Sequence, residues 1–232
     1  MVYKIIGLLF VLTFSIGIYI SKNIGHKWIH KQKIASFSAG VIISYLFLKL
    51  LPELFYLNIH KTSTIYLLLL LGFSLIHLIE KYIYQHTEDK VRLKFEHQKA
   101  HETFFFIYYA VLAVLIVFFS SINIISAALF TTTIIFYSVI KSISTPKKDN
   151  MNGFLYIAPL LGFIFSILFP FTTKLFIAIL SIITGSIFYL VTRELIPSGR
   201  KGKPVYFVLG ILFYIITDSL FGIIAASTAN TL

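Results

Sequence analysis

The sequence predicts an all-α integral membrane protein with eight transmembrane helices, and three observations lead to this fold class. The chain has 232 residues, of which 58% are hydrophobic and 12% are charged, whereas soluble domains carry about 25% charged residues. Eight apolar runs follow one another with polar breaks between them. Sixteen of the 20 Lys and Arg residues fall in or beside every second break. Because a bilayer crossing takes about 20 residues, eight crossings fill the chain.

Clusters of Lys, Asn, Gly and Pro set the limits of the predicted spans. The eight spans cover residues 2–20, 34–57, 64–84, 103–119, 122–143, 153–170, 172–195 and 204–229. The tightest joints, at 120–123 and 170–173, divide stretches too long for one crossing, so they are predicted to be short turns. The first span contains Lys4, as a signal peptide would, but no small-residue cleavage site follows it and we expect it to be retained. Residues 1–232 are expected to form one membrane domain.

The distribution of basic residues predicts the orientation. The other predicted side of the membrane has only three basic residues, Lys4, Lys61 and Lys174. The remaining one, Lys49, falls inside the second span. Basic loops stay on the cytoplasmic side, so we expect an integral protein of a prokaryotic cell membrane with both termini outside. The net charge of +11 is spread over four short loops that face anionic headgroups, so the lipid bilayer is the expected partner and nucleic acid is not. With no cysteine, disulfides and thiolate metal sites are excluded.

The N-terminal and C-terminal parts of the chain share a repeated sequence pattern. A glycine is followed nine residues later by a charged residue in spans 2 and 7, and eight residues later by an acidic residue in spans 3 and 8. The pairs are Gly40 with Lys49, Gly185 with Glu194, Gly72 with Glu80, and Gly210 with Asp218. Units of about 2–84 and 153–229 therefore flank central helices at 103–143. Under the predicted topology the units are inverted, an arrangement that is common in carriers.

Short motifs around these anchors carry a family resemblance. They are Phe37-Ser-Ala-Gly40, Lys49-Leu-Leu-Pro-Glu53, Gly72 to Glu80-Lys81, Pro159-Leu-Leu-Gly162, Thr184-Gly185-Ser-Ile-Phe-Tyr189 and Glu194-Leu-Ile-Pro197. Together they resemble the zinc- and iron-regulated-transporter-like (ZIP) family. The resemblance implies eight helices arranged three, two, three as an inverted repeat, with both termini outside. It also implies transport of a divalent metal cation of the zinc and iron class as substrate, with no cofactor.

The chain departs from this family at the metal site. ZIP carriers have His-Asn-x-x-Asp and His-Glu-x-x-His type motifs on the central helices, whereas 103–119 and 122–143 contain no His, Asp or Glu. Lys49 also stands where the family's His-Leu-x-Pro-Glu pattern has histidine. Because a divalent cation needs such ligands to replace its water shell, zinc-type transport is doubtful. The alternative is a non-transporting structural or regulatory membrane protein that uses the same scaffold and could form a homodimer.

Ionisable groups inside the spans are the first candidates for a transport path, because an intramembrane charge costs at least about 2.5 to 3.5 kcal/mol. The candidate residues are Lys49, Glu53, Glu194, Asp218, Thr131 and Ser138. Two interpretations of Lys49 remain open. It forms a structural ion pair with Asp218 or Glu53, or its ammonium stands where a relative binds metal. The two hydroxyl residues belong to a polar stripe on span 5, which either packs against other helices or lines a passage.

Histidines supply weaker metal candidates. His77 and Glu80 share one helix face, and they either bind a metal or form a solvated pair. The predicted loop from Gln85 to Glu102 holds His86, His97 and His101, which would give a weak cytoplasmic metal-capture site or a solvated loop. The chain has no Gly-x-Ser-x-Gly, His-Glu-x-x-His or phosphate-binding glycine loop, so we do not expect an enzyme.

Overall fold

A computed structural model describes residues 2–24, 30–56, 62–86, 90–144, 154–169, 172–195 and 202–229. Within these ranges, the description leaves out the side chains of 22–24, 62, 80, 83–84, 86, 90–101, 141–144, 194–195 and 223–229. The described chain is almost entirely helical, which confirms the all-α expectation.

Eight helical segments make up the described chain. They are α1 (Val2–Ile24), α2 (Lys31–Tyr45, continued by a π-helix Leu46–Leu50 and by Leu51–Tyr56), α3 (Thr62–His86), α4 (Lys90–Ile122), α5 (Ile124–Ser144), α6 (Ala158–Leu168), α7 (Thr173–Leu190, continued by a π-helix Val191–Leu195) and α8 (Pro204–Ala229). Five segments are long and apolar enough to cross a membrane, in α1, α2, α4, α7 and α8. The apolar parts of α3, α5 and α6 are shorter.

Two predicted boundaries are wrong. The expected loop from Gln85 to Glu102 is helical from Lys90 onward, because residues 90–101 are rich in the strong helix formers Lys, Arg, Leu, Glu and Gln. The sixth helix covers only the 11 residues of Ala158–Leu168 rather than 153–170. It ends where Phe169 turns extended, with φ −114° and ψ 112°, as expected for a residue that precedes a proline.

The turn predicted between spans 4 and 5 is a single residue long. Asn123 is the only non-helical residue between α4 and α5. Its side-chain oxygen accepts a hydrogen bond from the Ile125 backbone N–H at 2.8 Å, which starts the new helix. The two helices fold back as a hairpin, since Phe119 contacts Phe130 near the joint and Phe105 contacts Tyr137 further away.

Contacts along the helices establish their relative directions. Lys33 lies over the ring of Tyr206, and further along both helices Tyr45 contacts Tyr214, so α2 and α8 run parallel. Similarly, α3 and α7 run parallel, because a Cβ at Gly185 would meet Leu69 while His77 contacts Tyr189. These two helix pairs are among the most extensive packing contacts of the described chain.

The four repeat glycines lie at these two helix crossings. A Cβ at Gly40 would overlap the Phe207 carbonyl oxygen, and one at Gly210 would overlap that of Phe37. The crossing of α3 with α7 repeats this relation. There, a Cβ at Gly72 would overlap the carbonyl oxygen of Ile182, and one at Gly185 would overlap that of Leu69. Close backbone approach therefore explains all four glycines.

Each repeat unit also contains a π-helix beside a proline. The first begins six residues after Gly40 and the second six residues after Gly185, and each ends two residues before Pro52 or Pro197. In the first, the Leu51 N–H donates to the Leu46 carbonyl, five residues back. Proline has no N–H and its ring crowds the carbonyl four residues earlier, so a wider turn before it relieves the clash.

Candidate functional site

A group of polar side chains, three of them buried and three half-buried, lies where α2, α5 and α8 meet. We call it the tyrosine–carboxylate cluster; its members are Tyr45, Lys49 and Glu53 of α2, Ser126 of α5, and Tyr214 and Asp218 of α8. The rings of Tyr45 and Tyr214 join α2 to α8, with centroids 5.9 Å apart. The Tyr45 ring also lies 6.1 Å from the Phe130 ring of α5.

Helical spacing brings these residues together. Tyr45 precedes Lys49 by four residues, and Tyr214 precedes Asp218 by four residues, so each pair lies along one side of its helix. At about 1.5 Å per residue, Tyr214 is roughly 15 Å from the start of α8 and Tyr45 roughly 21 Å from the start of α2. Both distances fall within a hydrocarbon core about 30 Å thick.

Three oxygens of the cluster are buried and have no hydrogen-bond partner among the described residues: Tyr45 Oη, Glu53 Oε2 and Tyr214 Oη. We call them the orphan oxygens. Each tyrosine is only 2% exposed. An unsatisfied buried polar group costs about 1 to 3 kcal/mol, so a group that contacts all three oxygens would stabilise the protein.

Electrostatic interactions link the charges of the cluster. The Glu53 carboxylate interacts with the Lys49 ammonium and accepts a hydrogen bond from the Ser126 side chain. Glu53 also interacts with both tyrosine hydroxyls, and Asp218 interacts with that of Tyr214. Lys49 lies four residues before Glu53 on α2, and the two ion pairs considered for Lys49 stay predictions. Glu53 Oε2 is an orphan oxygen.

The predicted hydroxyl stripe of α5 has other partners. Thr131 donates a hydrogen bond to the Ala127 carbonyl at 2.7 Å. Ser138 donates to the Ile135 carbonyl at 2.8 Å and lies 3.4 Å from Ser21 of α1. Both side chains are buried. Both hydroxyls therefore donate within α5, and the two interpretations of the stripe stay predictions.

His77 belongs to a second polar group, formed by α3 and α7. The Tyr189 hydroxyl lies 3.3 Å from His77 Nδ1 and accepts a hydrogen bond from an Arg193 guanidinium N–H at 2.8 Å. The other half of the predicted metal pair, the Glu80 side chain, lies outside the described residues. The same is true of the Glu194, His86, His97 and His101 side chains.

Aromatic rings fill the space between the central helices α4 and α5. Phe105 stacks on Tyr137 at 6.2 Å, and Tyr108 meets the same ring edge-on at 6.2 Å. Within the described part of the chain, no three His, Asp or Glu side chains converge as a metal site would require.

Sequence reasoning missed half of the tyrosine–carboxylate cluster. It selected Lys49, Glu53 and Asp218 by their charge, but not Tyr45, Ser126 or Tyr214. One signal was available, because a tyrosine stands four residues before each of the charged residues Lys49 and Asp218 in an otherwise apolar span. Which helix faces meet is a tertiary property, so the sequence did not predict that the two tyrosines contact each other.

Comparison with known proteins identifies no protein similar to this chain. No family model, no curated protein and no solved structure matches the chain. The functional argument therefore rests on the residues of this chain.

Proposed function

We propose that this chain is a ZIP-like membrane transporter that carries cations across the bilayer through the tyrosine–carboxylate cluster. The observation that carries the proposal is the group of three orphan oxygens beside Asp218 and Lys49, buried between apolar helices. Ionisable groups inside a membrane are costly and commonly mark ion pathways. Two carboxylates facing two buried hydroxyls favour a positively charged solute.

The three-two-three inverted repeat is part of this proposal, and two features support it. First, the crossing of α2 with α8 and the crossing of α7 with α3 use equivalent glycines, each against a backbone carbonyl. Second, the two π-helices begin at the same offset from Gly40 and Gly185. Carriers with inverted repeats bind their solute near the bilayer midplane, beside irregular helices. Lys49 lies in one of these π-helices and Glu53 just beyond it.

The substrate class implied by the family resemblance fits this chain poorly. Zinc and iron(II) are bound mainly by imidazole, thiolate and carboxylate groups. Among the cluster's members, only Glu53 and Asp218 are of these types, and Lys49 adds a competing positive charge. We therefore propose a cation path displaced from the central helices to the junction of α2, α5 and α8, with zinc-type transport doubtful.

The alternative, a non-transporting membrane protein, draws on a different observation. The hydroxyls of Thr131, Thr133 and Ser138 bond to carbonyls of their own helix, and aromatic rings occupy the space between α4 and α5. Such packing suits a rigid scaffold with a structural or regulatory role. The orphan oxygens have no part in that function, so we rank it second.

Cation flux into proteoliposomes separates the two functions. The test follows zinc, iron(II), manganese, cadmium, sodium and potassium with the purified wild-type protein and with Asp218→Asn. The transporter proposal expects saturable uptake of at least one cation that falls about tenfold or more in the variant, which corresponds to about 1.4 kcal/mol. Uptake equal to that of empty vesicles for all six cations would support the scaffold function instead.

A further inference from the structure

Two basic side chains meet on one buried hydroxyl toward the C-terminal ends of α3 and α7. Arg193 donates a guanidinium N–H to Tyr189 Oη at 2.8 Å, and His77 Nδ1 lies 3.3 Å from the same oxygen. The two nitrogens are therefore at most 6.1 Å apart, the sum of these distances. Tyr189 is only 5% exposed, whereas Arg193 and His77 are both exposed. We call Arg193 and His77 the basic pair.

We infer that the basic pair binds a phosphate group, supplied by the headgroup of an anionic phospholipid or by inorganic phosphate. The site belongs to α3 and α7, whereas the tyrosine–carboxylate cluster belongs to α2, α5 and α8. The inference therefore does not require that the chain transports cations.

The guanidinium of Arg193 is held in place by the tyrosine ring. Its Cζ atom lies 5.8 Å from the centroid of the Tyr189 ring, within the range of a cation–π contact. Phe73 of α3 in turn packs edge to face against Tyr189, with centroids 5.2 Å apart. A guanidinium has five N–H donors, and the bond to Tyr189 uses one of them. A fixed planar guanidinium suits a phosphate group, because it loses less freedom on binding.

His77 completes the pair as a second donor. The Tyr189 hydroxyl accepts from Arg193 and has a hydrogen of its own to donate. When that hydrogen goes to His77 Nδ1, the ring hydrogen of His77 is on Nε2. The His77 ring packs edge-on against the Tyr189 ring, with centroids 5.7 Å apart. Two N–H donors this close together can bind two oxygens of one phosphate group.

The position of the basic pair suits a headgroup phosphate. Lys81 follows His77 by four residues and is exposed, so it adds a cation on the same side of α3. In the other direction along α3, Leu75 is 41% exposed and Leu78 is 62% exposed. An exposed apolar surface that gives way to basic groups matches the boundary between lipid chains and anionic headgroups. The sequence predicts that this boundary is the cytoplasmic one.

Thermal unfolding of the purified protein in phosphate-free detergent buffer tests the inference and separates the two phosphate sources. The probes are dioctanoyl phosphatidylglycerol, dioctanoylglycerol and inorganic phosphate, each titrated at constant ionic strength. At least one phosphate probe should raise the unfolding temperature saturably, whereas dioctanoylglycerol, which has the same chains without phosphate, should not. Stabilisation by the lipid alone would identify a headgroup, and stabilisation by inorganic phosphate would show that the phosphate group suffices.

Three variants assign the binding to the basic pair. Arg193→Gln should weaken binding of the effective probe by about tenfold or more. Tyr189→Phe keeps the ring contacts and both donors but removes the shared hydroxyl, so it should weaken binding several-fold. Lys174→Gln removes a charge from the exposed start of the same helix and serves as the matched control, with wild-type binding expected. Helical circular dichroism and size-exclusion profiles identify any variant that fails to fold.

Three results would overturn the inference. One is a wild-type protein that neither phosphate probe stabilises. Another is equal affinity for the effective probe in the wild type and in folded Arg193→Gln and Tyr189→Phe. The third is phosphate binding that appears only after Glu80→Gln, because the carboxylate next to Lys81 in the sequence would then be the partner of these basic groups.

Discussion

Tyr45 of α2 and Tyr214 of α8 meet edge to face, with ring centroids 5.9 Å apart and an interplanar angle of 77°. Both hydroxyls are orphan oxygens. Edge-to-face packing is a favourable geometry for two aromatic rings, so this contact holds both side chains between α2 and α8. The contact therefore fixes two polar groups inside an apolar bundle and gives the site its most direct experimental handle.

Replacing Tyr214 by phenylalanine should raise stability and lower cation uptake. Tyr214→Phe keeps the ring contact and removes an orphan oxygen, so the protein should gain about 1 kcal/mol of stability. The same change removes a polar atom of the proposed cation path, so uptake into proteoliposomes should fall. Thermal unfolding in detergent measures the first effect, and cation flux measures the second.

A conservative control sharpens this prediction. Tyr66→Phe removes a hydroxyl from an exposed residue of α3 and should change neither quantity. A Tyr214→Phe protein that is less stable than the wild type without added cation would mean that the hydroxyl already has a partner, such as a bound water.

The glycine crossings predict which glycines tolerate a methyl group. Gly72→Ala and Gly185→Ala each drive a Cβ into a backbone carbonyl of the opposite helix, which neither helix can relieve by a side-chain rotation. Each should lower the free energy of unfolding by about 1 to 3 kcal/mol. Chemical unfolding in mixed micelles measures the loss.

Gly222→Ala is the matched control, because a Cβ there has no described atom within 4 Å. It should leave stability unchanged or slightly higher. Equal losses at Gly72, Gly185 and Gly222 would argue against the close crossing of α3 with α7.

Restoring the missing N–H at Pro52 should disturb the site. Pro52→Ala permits a regular α-helix through Leu46–Leu50, and losing one residue of a π-turn rotates Tyr45 relative to Glu53 by about 100°. Cation uptake should therefore fall several-fold while the protein stays folded. Pro159→Ala at the start of α6 is the control, because a proline in the first turn replaces no helical hydrogen bond.

Cysteine labelling tests the predicted orientation on a background without native cysteine. Ser121 is exposed at the end of α4, and Lys203 is exposed just before α8. A membrane-impermeant thiol reagent applied to intact cells should label Ser121→Cys and leave Lys203→Cys unlabelled until the membrane is opened. The reverse pattern would mean that both termini lie inside, and equal labelling would place both residues on the same side.

Local patterns in the sequence predicted much of the helix layout. Apolar runs gave eight helices, and the observed start of α8 at Pro204 matches the prediction. The spacing of Gly40, Gly72, Gly185 and Gly210 identified residues that the structure has at helix crossings. Helix formation was predictable because it depends mainly on residues close in sequence. The glycines were predictable as packing positions because a small residue in an apolar span allows another helix to approach closely.

Other features depend on tertiary contacts and were not predicted. The π-helix at Leu46–Leu50 depends on how α2 accommodates Pro52, and no residue pattern in the span predicted it. Nor did the sequence reveal that Tyr45 and Tyr214 face each other. Lys49 was recognised by its charge, but its place in a π-helix emerged only from the folded chain.

The most direct test of the central claim is the time course of cation uptake by proteoliposomes that contain equal amounts of wild type or Glu53→Gln. Glu53 supplies one of the three orphan oxygens, and its electrostatic partners include Lys49, Tyr45 and Tyr214. The account predicts saturable uptake by the wild type and a loss of about tenfold or more in the variant. Equal uptake by the two proteins, or none by the wild type, would contradict it.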